Sequence, residues 1–165
     1  MPLSLRPTYP NDAAFVYQLD YQTMAEHLHA WNWEPGMRDQ LLHMQIQAKN
    51  GSYVTTHPNA EYAIVDLDGE PVGRMIIDRS GEFYYLVDIA IIPKQRGAGI
   101  GTRLVLGLCT EAGLMHKKVR LFVHATNHRA LALYRRLGFR VIEDLEWGMV
   151  MERDPADRGE IAIAG

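Results

Sequence analysis

The chain has 165 residues, 47% of them hydrophobic and 22% charged, with a formal net charge of −3. That length and balance fit one globular domain and exclude collagen-like, coiled-coil and disordered classes. A single cysteine, Cys109, excludes an intrachain disulfide and a multi-cysteine zinc site, no apolar run approaches the ~20 residues of a membrane helix, and the N-terminus lacks the apolar core of a signal peptide, so a cytoplasmic protein without membrane attachment is expected.

Leu3–Arg6 reads as a short opening strand. Asn11 or Asp12 is placed to cap a helix to about His29, with Phe15, Leu19, Met24 and Leu28 on its buried side. The aromatic connection Trp31-Asn32-Trp33-Glu34-Pro35-Gly36 leads into a second helix over 37–50, which Gly51 is expected to stop. The period then changes to that of strands: Glu61–Asp66, a tight turn at Asp68-Gly69, Pro71–Asp78, a turn at Arg79-Ser80-Gly81, and a long apolar strand Phe83–Ile92 ended by Pro93. Near-continuous hydrophobicity predicts cover on both faces of this last strand, which makes Asp88 in its middle anomalous. Gly97–Gly101 turns into a helix to about Met115, carried by Leu104, Val105, Leu108 and Ala112. Val119–His124 is a strand, Asn127 caps a helix to Leu137 closed by Gly138, and Phe139–Glu143 and Trp147–Met151 are the last strands. The order β-α-α-β-β-β-α-β-α-β-β predicts an α/β fold, one mixed sheet with helices on its faces, followed by a tail over 154–165.

Charge is unevenly divided. Residues 94–140 carry ten basic side chains against one acid, Glu111, a net +9 that leaves −12 for the remainder. The asymmetry points to an anion-binding half, although basic faces of solvated helices would give the same count. No stretch interleaves basic residues with stacking aromatics, so nucleic acid is not an expected partner.

The run Arg96-Gly97-Ala98-Gly99-Ile100-Gly101-Thr102 passes from strand to turn to helix. Alternating glycines let backbone N–H groups converge on an anion, and the helix adds the positive end of its dipole. Arg96 adds a formal charge and Thr102 a hydroxyl. A Walker loop would need a lysine after Gly101. A dinucleotide fingerprint counted from Gly97 would need glycine in place of Thr102 and an acid at the end of the next strand, where Phe122–Thr126 offer none. A glycine-rich helix start without a ligand is the plain alternative.

Arg96–Gly101 resembles the Arg/Gln-x-x-Gly-x-Gly/Ala signature of the GNAT acyltransferase superfamily. Asn127–Phe139, an Asn followed by a helix carrying Tyr134 and then Gly138-Phe139, resembles that family's second characteristic segment, and the element order along 3–152 is similar as well. The resemblance implies a GNAT-like fold: a central mixed, mostly antiparallel sheet of about seven strands flanked by about four helices, splayed between strands 4 and 5. It implies a single acetyl-CoA-binding domain over 1–153 that acetylates a primary amine of a small molecule by direct attack in a ternary complex, with acetyl-CoA as cosubstrate and no metal. Acetylation of protein N-termini or lysines, and a non-catalytic acyl-CoA-binding regulatory module, are the alternatives.

By the same resemblance the diphosphate would lie on the main-chain amides of Arg96, Gly97, Ala98, Gly99, Ile100, Gly101 and Thr102, and the pantetheine arm would pair with the backbone of Ile89, Ala90 and Ile91. Asn127 would contact the arm, and Tyr134 would sit near the thioester sulfur as the acid for the leaving thiolate. An unperturbed thiol titrates near ~8.5 and tyrosine near ~10, so full transfer from Tyr134 is uphill by roughly 2 kcal/mol, a gap that nearby arginines can narrow. Ala130, Leu133 and Leu137 around Tyr134 equally suit a core aromatic. Asp88, a carboxylate among apolar neighbours just before Ile89, is the candidate general base. Glu82 is a rival, a water chain needs neither, and a structural pairing of Asp88 with an arginine is the plain alternative.

Acceptor contacts are implied at Glu26, Trp31, Trp33 and Tyr84, with Glu34 and Tyr85 beside them. The first 93 residues carry a net −7, so a cationic amine is expected, while helix packing is the alternative role for the tryptophans. Seven histidines include no His-Glu-x-x-His pair, and no metal is expected. Cys109 reads as a small buried residue, and the tail over 157–165 is a candidate element of a homodimer.

Overall fold

The computed structural model describes residues 2–155 and has the expected order of elements. These are β1 (Leu3–Pro7), α1 (Ala13–His27), α2 (Pro35–Thr56), β2 (Glu61–Leu67), β3 (Glu70–Asp78), β4 (Tyr84–Ile91), α3 (Ile100–Leu114), β5 (Val119–His124), α4 (His128–Arg136), β6 (Arg140–Asp144) and β7 (Gly148–Arg153). Among the described residues the strands make a seven-stranded mixed sheet, ordered β1-β2-β3-β4-β5-β7-β6. β4 runs parallel to β5, whereas β1 with β2, β5 with β7 and β6 with β7 are antiparallel. The parallel register pairs Tyr84, Tyr85 and Leu86 with Val119, Arg120 and Leu121, and both strands run on past it, to Ile91 and His124.

The chain divides into two compact units. The first takes the residues up to Ile76 together with Asp88–Gln95; the second takes Ile77–Val87 and the residues from Arg96 onward.

In the first unit, β2 and β3 are joined at Asp68 (φ 53°) and Gly69 (φ 83°), two successive positive-φ residues as a type I′ hairpin requires. α1 and α2 pack through buried Ala25, Ala30 and Leu42, with Tyr21, Met24, Leu28 and Trp33 closing the cluster. The start of α1 differs from expectation. Asp12 occupies the N-cap position, but its carboxylate accepts from the Arg6 guanidinium (2.9 Å) and the Tyr9 amide (2.7 Å) instead of capping the helix. Gly51 does not stop α2, which continues to Thr56. A mid-helix glycine costs only about 1 kcal/mol, less than continued hydrogen bonding and packing can return. The helix also starts early, because Pro35 suits its first turn and the Glu34 carboxylate accepts from the Gly36 (3.0 Å) and Met37 (2.8 Å) amides. β4 is buried at Tyr84, Leu86 and Ala90 but only half-buried at Val87, Ile89 and Ile91, so its second face is not sealed as expected.

In the second unit, β5 and β7 pair over six rows, from Val119↔Arg153 to His124↔Gly148. α3 buries Leu104, Val105, Leu108 and Ala112, together with Cys109, whose thiol burial pushes up to about 11. Buried Glu152 of β7 accepts from Arg120 Nε of β5 (2.5 Å) and Arg140 Nη2 of β6 (3.2 Å), with Lys118 Nζ at 3.3 Å. Burial works against its charge, but the Arg120 and Lys118 hydrogen bonds outweigh it and hold this carboxyl below its ordinary range. Apart from Asp154 and Pro155 the expected tail, including the candidate dimerisation element, lies outside the described residues. Among those residues no helix is long and apolar enough to cross a membrane, and no group of three or more His, Cys, Asp or Glu side chains could hold a metal ion.

Candidate functional site

The glycine turn belongs to the second unit. Gly97 and Gly99 both adopt φ +81°, a left-handed conformation that side chains resist. Gly99 is the N-cap of α3, and the first intrahelical bond runs from the Arg103 amide to the Gly99 carbonyl oxygen (3.0 Å). The amides of Ile100, Gly101 and Thr102 lie in the helix's first turn, where N–H groups have no helical acceptor. A Cβ at Gly99 or Gly101 would meet nothing within 4 Å, so the backbone here faces open space. The Arg129 guanidinium reaches the turn, its Nη2 3.8 Å from where a Gly97 Cβ would stand. Positive-φ glycines, first-turn amides and a nearby guanidinium suit a diphosphate, so the residues fit the group that the sequence implies.

Arg129 lies on α4 with Tyr134, an expected site residue, and Asn127, another, stands just before that helix. Asn127 caps that helix, its side-chain oxygen accepting from the Ala130 amide at 3.2 Å. Tyr134 is buried, its ring centroid 5.6 Å from that of Phe139, and the Tyr134 carbonyl accepts the Phe139 amide at 3.0 Å. Tyr134 thus has the core-aromatic setting that stood as its alternative role.

Asp88, Ile89, Ala90 and Ile91 belong to the first unit, on the outgoing half of β4. Asp88 is not surrounded by apolar groups alone: its Oδ2 accepts from Arg74 Nη2 of β3 at 2.8 Å, the arginine pairing that stood as the alternative to a base role. Arg74 in turn donates to Asp20 of α1 through Nη2 (2.5 Å) and Nη1 (3.3 Å). Burial works against the guanidinium's charge, but the Asp88 and Asp20 carboxylates hold it protonated more firmly than an ordinary arginine. Nearby Tyr53 of α2 has its phenol pushed well up, first by burial and then by the Asp88 charge. The rival base Glu82 is exposed, in the connection before β4.

The expected acceptor contacts are divided between the two units. Trp33 packs against Ala25, Ala30 and Leu42, whereas Trp31 is 50% exposed and carries the Arg38 guanidinium 5.5 Å over its ring. Glu26 is exposed near the end of α1. Tyr84 is buried in the second unit, with Arg79 and Lys117 each 5.8 Å from its ring centroid. Half-buried Tyr85 of the same unit has its phenol raised by burial. Sequence reasoning missed Arg74 and Asp20 altogether, and singled out Arg129 only as one of many basic residues. A signal for Arg74 existed: it and Asp88 are lone opposite charges in the interiors of successive apolar strands.

The acetyltransferase (GNAT) family model matches residues 16–139. The mycothiol acetyltransferase of Actinosynnema mirum is 32% identical over 102 residues, which cover 62% of this chain and 30% of that protein. The spermidine N(1)-acetyltransferase of Escherichia coli K12 is 27% identical over 156 residues, covering 87% of this chain and 75% of that one. Among solved structures, the PaiA N-acetyltransferase of Thermoplasma acidophilum in complex with coenzyme A has the same fold, with a TM-score of 0.70 at 14% identity over 93% of this chain and 99% of its own. The chain thus spans less than a third of the length of the mycothiol acetyltransferases it matches.

Proposed function

The chain belongs to the acetyltransferase (GNAT) family, and on that premise we propose that it transfers an acetyl group from acetyl-CoA to a primary amine of a cationic small molecule. The turn carries this reading: two glycines at φ +81° open α3 beside Arg129, a backbone suited to gripping a diphosphate. A small-molecule acceptor is supported by the spermidine N(1)-acetyltransferase relative, and a cationic one by the net −7 of the first 93 residues.

In this reading the amides of Arg96–Thr102 bind the diphosphate, and the backbone of Ile89, Ala90 and Ile91 pairs with the pantetheine arm. Asn127 uses its oxygen as a helix cap and offers its NH₂ group to that arm. Asp88 takes a proton from the substrate ammonium, which frees the nitrogen lone pair. Bound acetyl-CoA supplies the activated acyl group, so the new C–N bond forms as the C–S bond breaks. Main-chain N–H groups at Ile89–Ile91 stabilise the oxyanion, and Tyr134 donates its proton to the departing thiolate. Holding both reactants in register supplies much of the acceleration. Glu26 and Trp31, exposed in the first unit, are the proposed acceptor contacts.

A thiol-release assay with acetyl-CoA over a panel of small amines and peptides tests the reading. Turnover is expected with cationic small amines, and Tyr134→Phe should lower kcat about 10²-fold with an unchanged melting temperature. Turnover confined to peptides would replace the acceptor class. Coenzyme A binding without turnover on any amine would leave a binding module.

A further inference from the structure

In the first unit, α1, α2, β3 and β4 meet at one buried guanidinium. The Arg74 side chain is 3% exposed, and its Nη2 is shared between Asp20 Oδ1 and Asp88 Oδ2. Asp20, 2% exposed, is backed from α2 by Asn50 Nδ2 at 3.1 Å and Lys49 Nζ at 3.4 Å. At the other end the Asp88 side chain is 18% exposed. The row of charges therefore runs from a sealed carboxylate to an accessible one. An arginine serving only to neutralise Asp20 has no need to share Nη2 with a second strand. Sharing it commits Asp88 Oδ2 to the guanidinium, on a side chain that keeps 18% of its surface exposed. Tyr53 of α2 is coupled to Asp88, Arg74 and Asp20 of the cluster and to Tyr62 of β2. Burial keeps the Tyr53 phenol protonated over any ordinary assay range.

We propose that Arg74 is a positioning residue for Asp88: anchored by Asp20, it fixes the Asp88 carboxylate through Oδ2 and so presents Oδ1 to the incoming ammonium group. The inference rests on the acetyltransfer reading above and adds two residues to it, neither of which touches the reacting atoms.

The test is the pH profile of kcat and of kcat/KM for the wild-type chain, Arg74→Gln, Arg74→Lys and the double variant Asp20→Asn/Arg74→Gln, with coenzyme A affinity measured in each. Arg74→Gln should lower kcat at least about tenfold while the amine KM changes by no more than about twofold, because the carboxylate is no longer held in place. Coenzyme A affinity should stay within about twofold. Arg74→Lys, which keeps the charge, should recover part of the loss. The double variant removes the buried Asp20 charge along with the guanidinium, so it leaves no unpaired buried charge and keeps the test open should the single variant fail to fold, and it should keep the kcat defect. A double variant with wild-type kcat and profile would mean that Arg74 merely neutralises Asp20, and would overturn the proposal. If the wild-type chain acetylates no amine, the acetyltransfer reading falls by itself. ¹³C NMR relaxation of the Asp88 side chain then decides the coupling: a carboxyl loosened in the double variant supports it, and unchanged order overturns it.

Discussion

Gly73 of β3 stands so close to β4 that a Cβ there would collide with the Ala90 carbonyl oxygen and come within 2.7 Å of Ile91 Cδ1. The Ile92 amide bonds to the Val72 carbonyl at 2.8 Å just beside it. Backbone cannot rotate out of the way as a side-chain tip can, so Gly73→Ala must displace the Ala90–Ile91 segment. The variant should lose about 1–3 kcal/mol in denaturant unfolding. Coenzyme A affinity, read by calorimetry, should fall with it, since this segment is the proposed partner of the pantetheine arm. Unchanged values of both would show that β4 does not need the missing side chain.

Two glycines of the turn should behave differently. Gly99 sits at φ +81°, so Gly99→Ala forces a left-handed alanine and should cost about 1–2 kcal/mol of stability as well as coenzyme A affinity. Gly101 lies within α3 and a Cβ there meets nothing within 4 Å. Gly101→Ala should hold or raise the melting temperature, by up to about 1 kcal/mol of stability, while still weakening coenzyme A because the methyl group would stand in the proposed diphosphate site. Equal loss of stability in both variants would contradict this division.

Glu152 ties β5, β6 and β7, and its folded-state carboxyl titrates below its unfolded value. Its stabilisation is therefore complete above the unfolded value of ~4.3 and is lost as pH falls through the depressed folded value. Glu152→Gln should melt below wild type at pH 7, and the difference should shrink as the pH is taken down through that window. A constant difference from neutral to strongly acidic pH would remove Glu152 from the acid sensitivity of the fold.

The two tryptophans of the connection before α2 should separate stability from recognition. Trp33→Ala removes a side chain packed on the Ala25–Ala30–Leu42 cluster and should cost about 3 kcal/mol or more. Trp31→Ala removes an exposed ring under Arg38, so it should leave the melting temperature nearly unchanged and act on the acceptor KM. An unchanged KM over the amine panel would take Trp31 out of the proposed acceptor contacts.

The elements were legible because period and punctuation agree along most of the chain. Asp68-Gly69 and Gly138 fall where the backbone needs positive φ, and Asn127 caps the helix it was expected to cap. Gly51 misled because its local penalty is small beside the bonding of a helix that continues past it. Asp12 misled because an arginine sixty residues from its other carboxylate partner, Asp66, competes for the same oxygen atoms across β1 and β2. At the candidate site the turn was readable, since a glycine's conformational freedom is a local property. The charge row through Arg74 was not: which buried cation meets which buried anion depends on the register of β3 against β4 and on the seating of α1, which local patterns do not encode.

Cys109 is the chain's sole cysteine, 2% exposed on α3, with a thiol that burial holds protonated far above neutral pH. Only the thiolate attacks a disulfide dye, and this sulfur is neither ionised nor accessible in the native fold. The folded chain thus contributes no colour of its own to a dye assay of thiol release.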